Sequence, residues 1–183
     1  MTKKPNILLI IADQMAPQLT GVYEHPVVKT PHLDALCKEG VRFDAAYSNS
    51  PICAPARAAM MTGRFVSEIG AYDNGVNFSA EFPTWAHMLR LEGYEVVASG
   101  KMHYLGPDQL HGLEDRLTQD IYPAGFKWVP NWEDYDKSGI SNDKAHLADP
   151  SEIGLRPWTN QLNYDEDTHC HALEYLRRKF YAR

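Results

Sequence analysis

Residues 7–12 read Ile-Leu-Leu-Ile-Ile-Ala, an unbroken apolar run closed by Asp13. A strand with one wet face alternates apolar and polar residues. A continuous Ile-rich run of strand length instead suits a strand covered on both faces, as in a parallel α/β sheet. Asp13 then falls at the carboxyl end of that strand, where open α/β sheets gather ligands. A carboxylate there suits a hard divalent cation, and Gln14 offers an amide oxygen beside it. The same Asp serves equally well as the start of an ordinary turn.

The following segments alternate in period. Thr30-Pro31-His32-Leu33-Asp34 opens a helix, with Thr30 as cap and Pro31 at the first position, and Gly40 ends it. Val41 to Tyr47 reads as a second strand, a helix follows Cys53, and Thr84 to Glu92 is another helix, ended by Gly93. Tyr94 to Ser99 is a third strand. Strands alternating with helices predict an α/β fold. Residues 104–163 are rich in Pro, Gly, Trp, Asp and Asn without clear periodicity, which predicts long loops that carry function. From Asp165 a helix resumes, with Ala172, Leu173, Leu176 and Phe180 as its apolar stripe.

The densest chemistry lies in residues 51–63, Pro-Ile-Cys-Ala-Pro-Ala-Arg-Ala-Ala-Met-Met-Thr-Gly. Pro55 suits a first helical turn, where its missing N–H costs nothing. Ala56 to Met61 are good helix formers, and Gly63 fits the stop. Cys53 therefore precedes a helix N-terminus, where free N–H groups and the dipole favour negative charge. Arg57, four residues on, projects toward the same end. A nucleophile and an anion could meet there. A buried structural thiol, or an unmodified reactive thiol activated by the helix end and Arg57, fits the same residues.

Gly100-Lys101-Met102-His103 follows the third strand. If the backbone stays extended, Lys101 and His103 share a face. A cation beside an imidazole can hold an anionic ester and protonate its leaving group. A solvent-facing Lys and a hydrogen-bonded His is the plainer reading.

Composition excludes several classes. With 44% hydrophobic and 23% charged residues, the 183-residue chain can bury a core, as one ordinary domain does. A net charge of -6 argues against a nucleic-acid surface. Three separated cysteines, Cys37, Cys53 and Cys170, form neither a disulfide framework nor a zinc pattern, which suggests a reducing compartment. The apolar run after Lys3 and Lys4 is too short for a signal peptide and ends in Asp13, and no stretch has transmembrane length. The expectation is a soluble, cytoplasmic chain.

Cys53, Pro55 and Arg57 in the spacing C-x-P-x-R resemble the signature at which sulfatases convert cysteine to formylglycine. Gly93-Tyr94 through Gly100-Lys101-Met102-His103 resembles that family's second signature, departing at Val96, where Ser or Thr is usual. The start, Pro5 to Asp13, resembles its first strand. The resemblance implies an alkaline-phosphatase-like α/β/α sandwich. It implies Asp13 and Gln14 as ligands of a divalent cation, most often Ca2+, with Mg2+ or Mn2+ as alternatives. Formylglycine at position 53, as its hydrate, would also ligate the metal and attack sulfur, after which its second hydroxyl lets sulfate leave. Arg57 would steady it, Lys101 would hold sulfate, and His103 would act around the nucleophile. A formylglycine-generating maturase and a small sulfate ester are the implied partners.

A narrower resemblance, to choline sulfatases, lies in Tyr72-Asp73-Asn74, Gly106 to Gly112, Asp120 to Ala124 and the Asp13-Gln14 pair. It implies that Asn74 contacts the sulfate and that the Trp128 indole faces a quaternary ammonium through cation–π attraction. Related enzymes with this machinery hydrolyse phosphonate monoesters and phosphodiesters. Residues 1–183 match only the N-terminal portion of such a catalytic domain, with 104–163 as its substrate-facing segment. The remaining metal ligands, a further His and a second Lys lie downstream in the family. The chain alone is therefore expected to be a fragment with little or no activity, and a non-catalytic remnant is the competing class.

Overall fold

The computed structural model describes residues 4–122 and 154–181. The chain forms two compact units, Met1–Tyr47 and Ser48–Arg183.

The first unit is built around helix α1, Pro31–Glu39, and two short 3-10 turns, Pro17–Leu19 and Gly21–Tyr23. The predicted helix start is correct, but Thr30 does not cap by the expected route. Its hydroxyl donates to Asp34 Oδ1 at 3.0 Å and accepts the Gly21 N–H at 2.8 Å, so it ties the helix to the second turn. Arg42 donates to the Val22 carbonyl and covers the Tyr23 ring, while Tyr23 donates to the Phe43 carbonyl.

Two strand expectations fail here. Residues 7–12 and 41–47 contain no strand, and Ile10 is 77% exposed. A strand exists through its ladder partners, and among the described residues neither segment has one. Apolar sequence marks where a strand would be stable once flanked; it does not supply the flanking strands.

In the second unit both element types are present among the described residues, but three helices come in succession before two strands instead of alternating with them. Helix α2, Cys53–Thr62, ends at Gly63, which takes the left-handed conformation and returns its N–H to the Ala59 carbonyl. Helices α3, Val66–Ile69, and α4, Trp85–Leu91, follow. Strand β1, Val97–Ala98, then pairs in parallel with β2, Asp115–Arg116, in the register Val97–Asp115 and Ala98–Arg116. Further ladder-like bonds, Glu114 N–H to Val96 O and Leu117 N–H to Ala98 O, extend the pairing at both ends. The strand predicted at Tyr94–Ser99 is therefore present but short.

The core of this unit gathers Ala58 and Met61 of α2, Ile69 of α3, Ala86 of α4, Val96, Phe78, Met102, Tyr104 and Leu113. Met61 is fully buried, which stabilises the fold by about 1.5–3 kcal/mol relative to exposure. The small alanines of α2 allow this close approach. Gly112, at φ +92°, is required where the loop before β2 passes α4: a Cβ there would lie 2.7 Å from the His87 backbone nitrogen.

Helix α5, Asn160–Tyr181, begins five residues before the predicted Asp165. It lies against the end of β1, with Ser99 Oγ donating to the Thr168 carbonyl at 2.8 Å. Its expected apolar stripe is only half covered: Ala172 and Leu173 are partly buried, whereas Leu176 and Phe180 are exposed.

Candidate active site

The start of α2 has a specific hydrogen-bond deficit. The first N–H groups of a helix have no partner inside it. Here Ala56 N–H already bonds to the Ile52 carbonyl, and Pro55 has no N–H to satisfy. Cys53 and Ala54 are left. Asn74 fills the second place: its Oδ1 accepts the Ala54 N–H at 3.0 Å. That bond turns the Asn74 amide so that Nδ2 faces Cys53 Sγ at 3.7 Å. A donor is thus aimed at the side chain of residue 53. The turn bearing Asn74 is itself pinned, since the Gly75 N–H bonds to Asp73 Oδ1 at 2.8 Å.

Arg57, one turn into α2, is buried, and its NH1 donates to the Lys101 carbonyl at 2.6 Å. The predicted neighbourhood of Cys53, Arg57 and the 101–103 segment is therefore connected through bonds. The guanidinium binds the backbone of Lys101, which leaves the ammonium to other partners.

The extended geometry expected for residues 101–103 does not occur. His103 takes φ +54°, left-handed for a residue with a Cβ, so side-chain alternation is broken there. The pair converges by another route. Lys101 Nζ lies 4.6 Å from the Tyr122 ring centre, and the buried His103 ring lies 5.0 Å from the same ring. Tyr122 is an organising residue that sequence reasoning passed over. So is Asp120, which holds the 102–103 backbone. Both sit in the Asp120 to Ala124 stretch that resembles choline sulfatases, and that resemblance assigns neither a role.

Behind this segment, the buried His111 ring stacks on Phe78 with centroids 3.8 Å apart. Burial pushes its pKa below the usual histidine value, and Asp108, 3.5 Å away, only partly opposes this. Burial raises the Asp108 carboxyl, but the N–H groups of His111 and Leu110 outweigh it and hold the carboxyl low. Burial drives the Tyr104 phenol well above its usual value.

Asp13 and Gln14 lie in the first unit, in a turn where Gln14 takes φ +56°. Both are oxygen donors, which suits a hard cation. They make too few ligands for one, and no group of three or more His, Cys, Asp or Glu among the described residues could hold a metal ion. Trp128 lies outside the described residues. Among the described residues, no helix is long and apolar enough to cross a membrane.

Comparison with known proteins adds the following. Residues 5–177 match the Sulfatase family model. The choline-sulfatase of Rhizobium meliloti (strain 1021) is 45% identical over 168 residues, covering 91% of this chain and 32% of that protein. The arylsulfatase of Clostridium perfringens (strain 13 / Type A) is 31% identical, covering 96% of this chain and 40% of that one. The chain thus spans about a third of the length of such relatives. Among solved structures, the phosphonate monoester hydrolase of Agrobacterium radiobacter superposes with a TM-score of 0.67 at 26% identity, over 94% of this chain and 38% of that one. A structure in complex with its substrate, D-glucosamine-2-N,6-O-disulfate, gives 0.59 at 32% identity, over 62% of this chain and 23% of that one.

Proposed function

This chain belongs to the sulfatase family, with an alkaline-phosphatase-like fold present in part, and from that premise we propose that it carries the nucleophile-bearing part of a sulfuric ester hydrolase. The reactive residue is formylglycine made from Cys53 by a maturase, and the substrate is a small ester such as choline sulfate. The observation that carries the reading is the amide of Asn74, which caps α2 with its oxygen and turns its nitrogen onto residue 53. The thiol sulfur marks the place that an oxygen of formylglycine takes, and an N–H donor suits oxygen better than sulfur. The hydrated modification supplies an oxygen nucleophile and a second hydroxyl that lets sulfate depart.

The chain's own groups have distinct tasks. The α2 N-terminus and the buried Arg57 favour negative charge near residue 53. Asn74 donates to that residue and to sulfate oxygen. Lys101 holds the sulfate by charge, its ammonium placed against Tyr122. His103, buried beside the same ring, handles the proton of the nucleophile or leaving group. Asp13 and Gln14 contribute oxygen ligands to a divalent cation, for which Ca2+ is favoured over Mg2+ or Mn2+. Trp128 offers its indole face to a quaternary ammonium. The likeness to the choline-sulfatase of Rhizobium meliloti favours that substrate.

A second reading, hydrolysis of phosphonate monoesters or phosphodiesters, is favoured by the superposition that covers 94% of the chain. A third reading is a non-catalytic fragment. Co-expression with a maturase, followed by intact mass of the peptide spanning Cys53 and assays on choline sulfate and a phosphonate monoester such as phenyl methylphosphonate, separates all three. Formylglycine with release of sulfate supports the first. Turnover of phosphonate alone selects the second. A thiol that survives maturation, without turnover of either ester, sinks both in favour of the third.

A further inference from the structure

The 101–103 segment owes its shape to a side chain that lies well along the sequence. Oδ2 of Asp120 accepts the N–H of Met102 at 2.9 Å and the N–H of His103 at 2.6 Å. The same oxygen accepts Arg116 NH2 at 2.9 Å, and Oδ1 accepts the Tyr122 N–H at 3.4 Å. Successive backbone N–H groups converge on one anion only where the chain leaves the extended form, in the concavity called a nest. The left-handed φ of His103 supplies that turn. A conformation disfavoured for a side chain with a Cβ is thus held by a largely shielded carboxylate.

We infer that Asp120 is a positioning residue for the proposed hydrolysis: with its charge balanced by Arg116, it fixes the turn at His103 and thereby aims Lys101 and His103. This rests on the reading of those two residues as the groups that handle the sulfate and the proton. An ion pair that only braced β2 would need no bonds to residues 102 and 103. Asp120 makes both, and it also orients Tyr122, the ring against which Lys101 and His103 lie. The pair is largely shielded, with side-chain exposures of 11% for Arg116 and 9% for Asp120, so the bonds persist in high salt. Arg116 is steadied in turn by Gln109 Oε1 at 3.2 Å. Asn at position 120 would keep an acceptor oxygen but lose the charge, and Ala would lose both.

The test compares wild type, Asp120→Ala and Asp120→Asn in the full chain with two readouts. The first is amide hydrogen exchange. In Asp120→Ala the Met102 and His103 amides should exchange at least about 10-fold faster, while the α2 amides keep their protection. The second is turnover of choline sulfate after maturation of residue 53. The Ala variant should lose about 10- to 100-fold in kcat, the cost of a misplaced reacting group. Its KM should rise by less than kcat falls, because Lys101 also holds the sulfate in the ground state whereas His103 acts only on the reacting proton. Asn should recover part of both, because neutral hydrogen bonds are about half as strong as charge-assisted ones. Retained protection at Met102 and His103 in Asp120→Ala, or a raised KM with unchanged kcat, overturns the inference. If Asp120→Ala does not fold, wild-type values in Asp120→Asn overturn it instead. If the Cys53 thiol survives maturation and the wild-type chain hydrolyses no sulfate ester, the functional reading fails, and exchange alone decides whether Asp120 sets the turn.

Discussion

Asn74 sits where stability and catalysis can be pulled in opposite directions. In Asn74→Ala the Ala54 N–H loses the amide oxygen that caps it, a loss of about 1 kcal/mol. For a chain of this size that lowers Tm by about 2–4 °C. Residue 53 also loses a donor, worth about 0.5–1.5 kcal/mol, or roughly 2- to 13-fold in kcat/KM. Asn74→Asp behaves differently. Its carboxylate still accepts the Ala54 N–H and adds a negative charge at the start of α2, which stabilises the helix by about 0.3–1 kcal/mol. The same charge cannot donate to residue 53 and repels sulfate. Two like charges about 4 Å apart near a protein surface cost on the order of 4 kcal/mol. Asn74→Asp should therefore melt at or above the wild-type temperature yet fall at least about 10-fold below Asn74→Ala in kcat/KM. Thermal melts followed by circular dichroism, initial rates on choline sulfate, and calorimetric titration with inorganic sulfate read the two quantities separately. If Asn74→Asp loses stability along with Asn74→Ala, the capping bond is not what Asn74 does. If it keeps sulfate affinity, Asn74 does not face the anion.

Thr84 Oγ1 is buried and donates to the His111 carbonyl at 2.6 Å, so Thr84→Val should cost about 1–3 kcal/mol in urea unfolding, whereas Thr84→Ser should lose only its methyl packing; equal losses would refute the bond. The depressed pKa of buried His111 means that below about pH 6.5 the unfolded chain binds a proton that the folded chain refuses. Stability should therefore decline as pH falls from about 6.5 toward the folded value, by at most about 1.4 kcal/mol per pH unit, and level off below it; urea midpoints between pH 7.5 and 5 should lose this component in His111→Phe. Asp108, held low, has the opposite protonation partner and a separate window: its stabilisation is present above about pH 3.8 and is lost as pH falls below that. Trp128→Ala should raise KM for choline sulfate several-fold more than for an uncharged aryl sulfate, as expected for a cation–π contact of about 0.5–2 kcal/mol; equal effects would remove the indole from the ammonium site.

The helices were the legible part of this chain because their signals are local. Pro55 and Gly63 bracket α2, and Thr84 and Gly93 bracket α4, within one or two residues. The β-segments were legible only as preferences. Residues 7–12 have the composition of a doubly covered strand, but pairing depends on neighbours far along a chain, and composition does not carry them. At the candidate site, Cys53, Arg57, Lys101 and His103 stand out through motif and spacing and Asn74 through the family resemblance alone, whereas the bond from Arg57 to the Lys101 backbone and the turn at His103 do not show in the sequence. That turn is not legible because its cause, Asp120, stands seventeen residues later, in a stretch that resembles choline sulfatases without assigning this carboxylate a role. Tyr122 was invisible for the same reason: an aromatic in a loop reads as packing until its neighbours are known.

The bonds that shape the 101–103 segment share one property. Arg57 grips position 101 through its carbonyl oxygen, and Asp120 grips positions 102 and 103 through their N–H groups. None of these grips depends on which side chain the gripped residue carries. The scaffold specifies an address rather than an occupant. Side chains at 101 and 103 can be exchanged there without dismantling the geometry that presents them, whereas a change at Arg57 or Asp120 alters the address for every occupant at once. Divergence in chemistry is therefore cheapest at the displayed positions, and constraint falls on the two distant residues that display them.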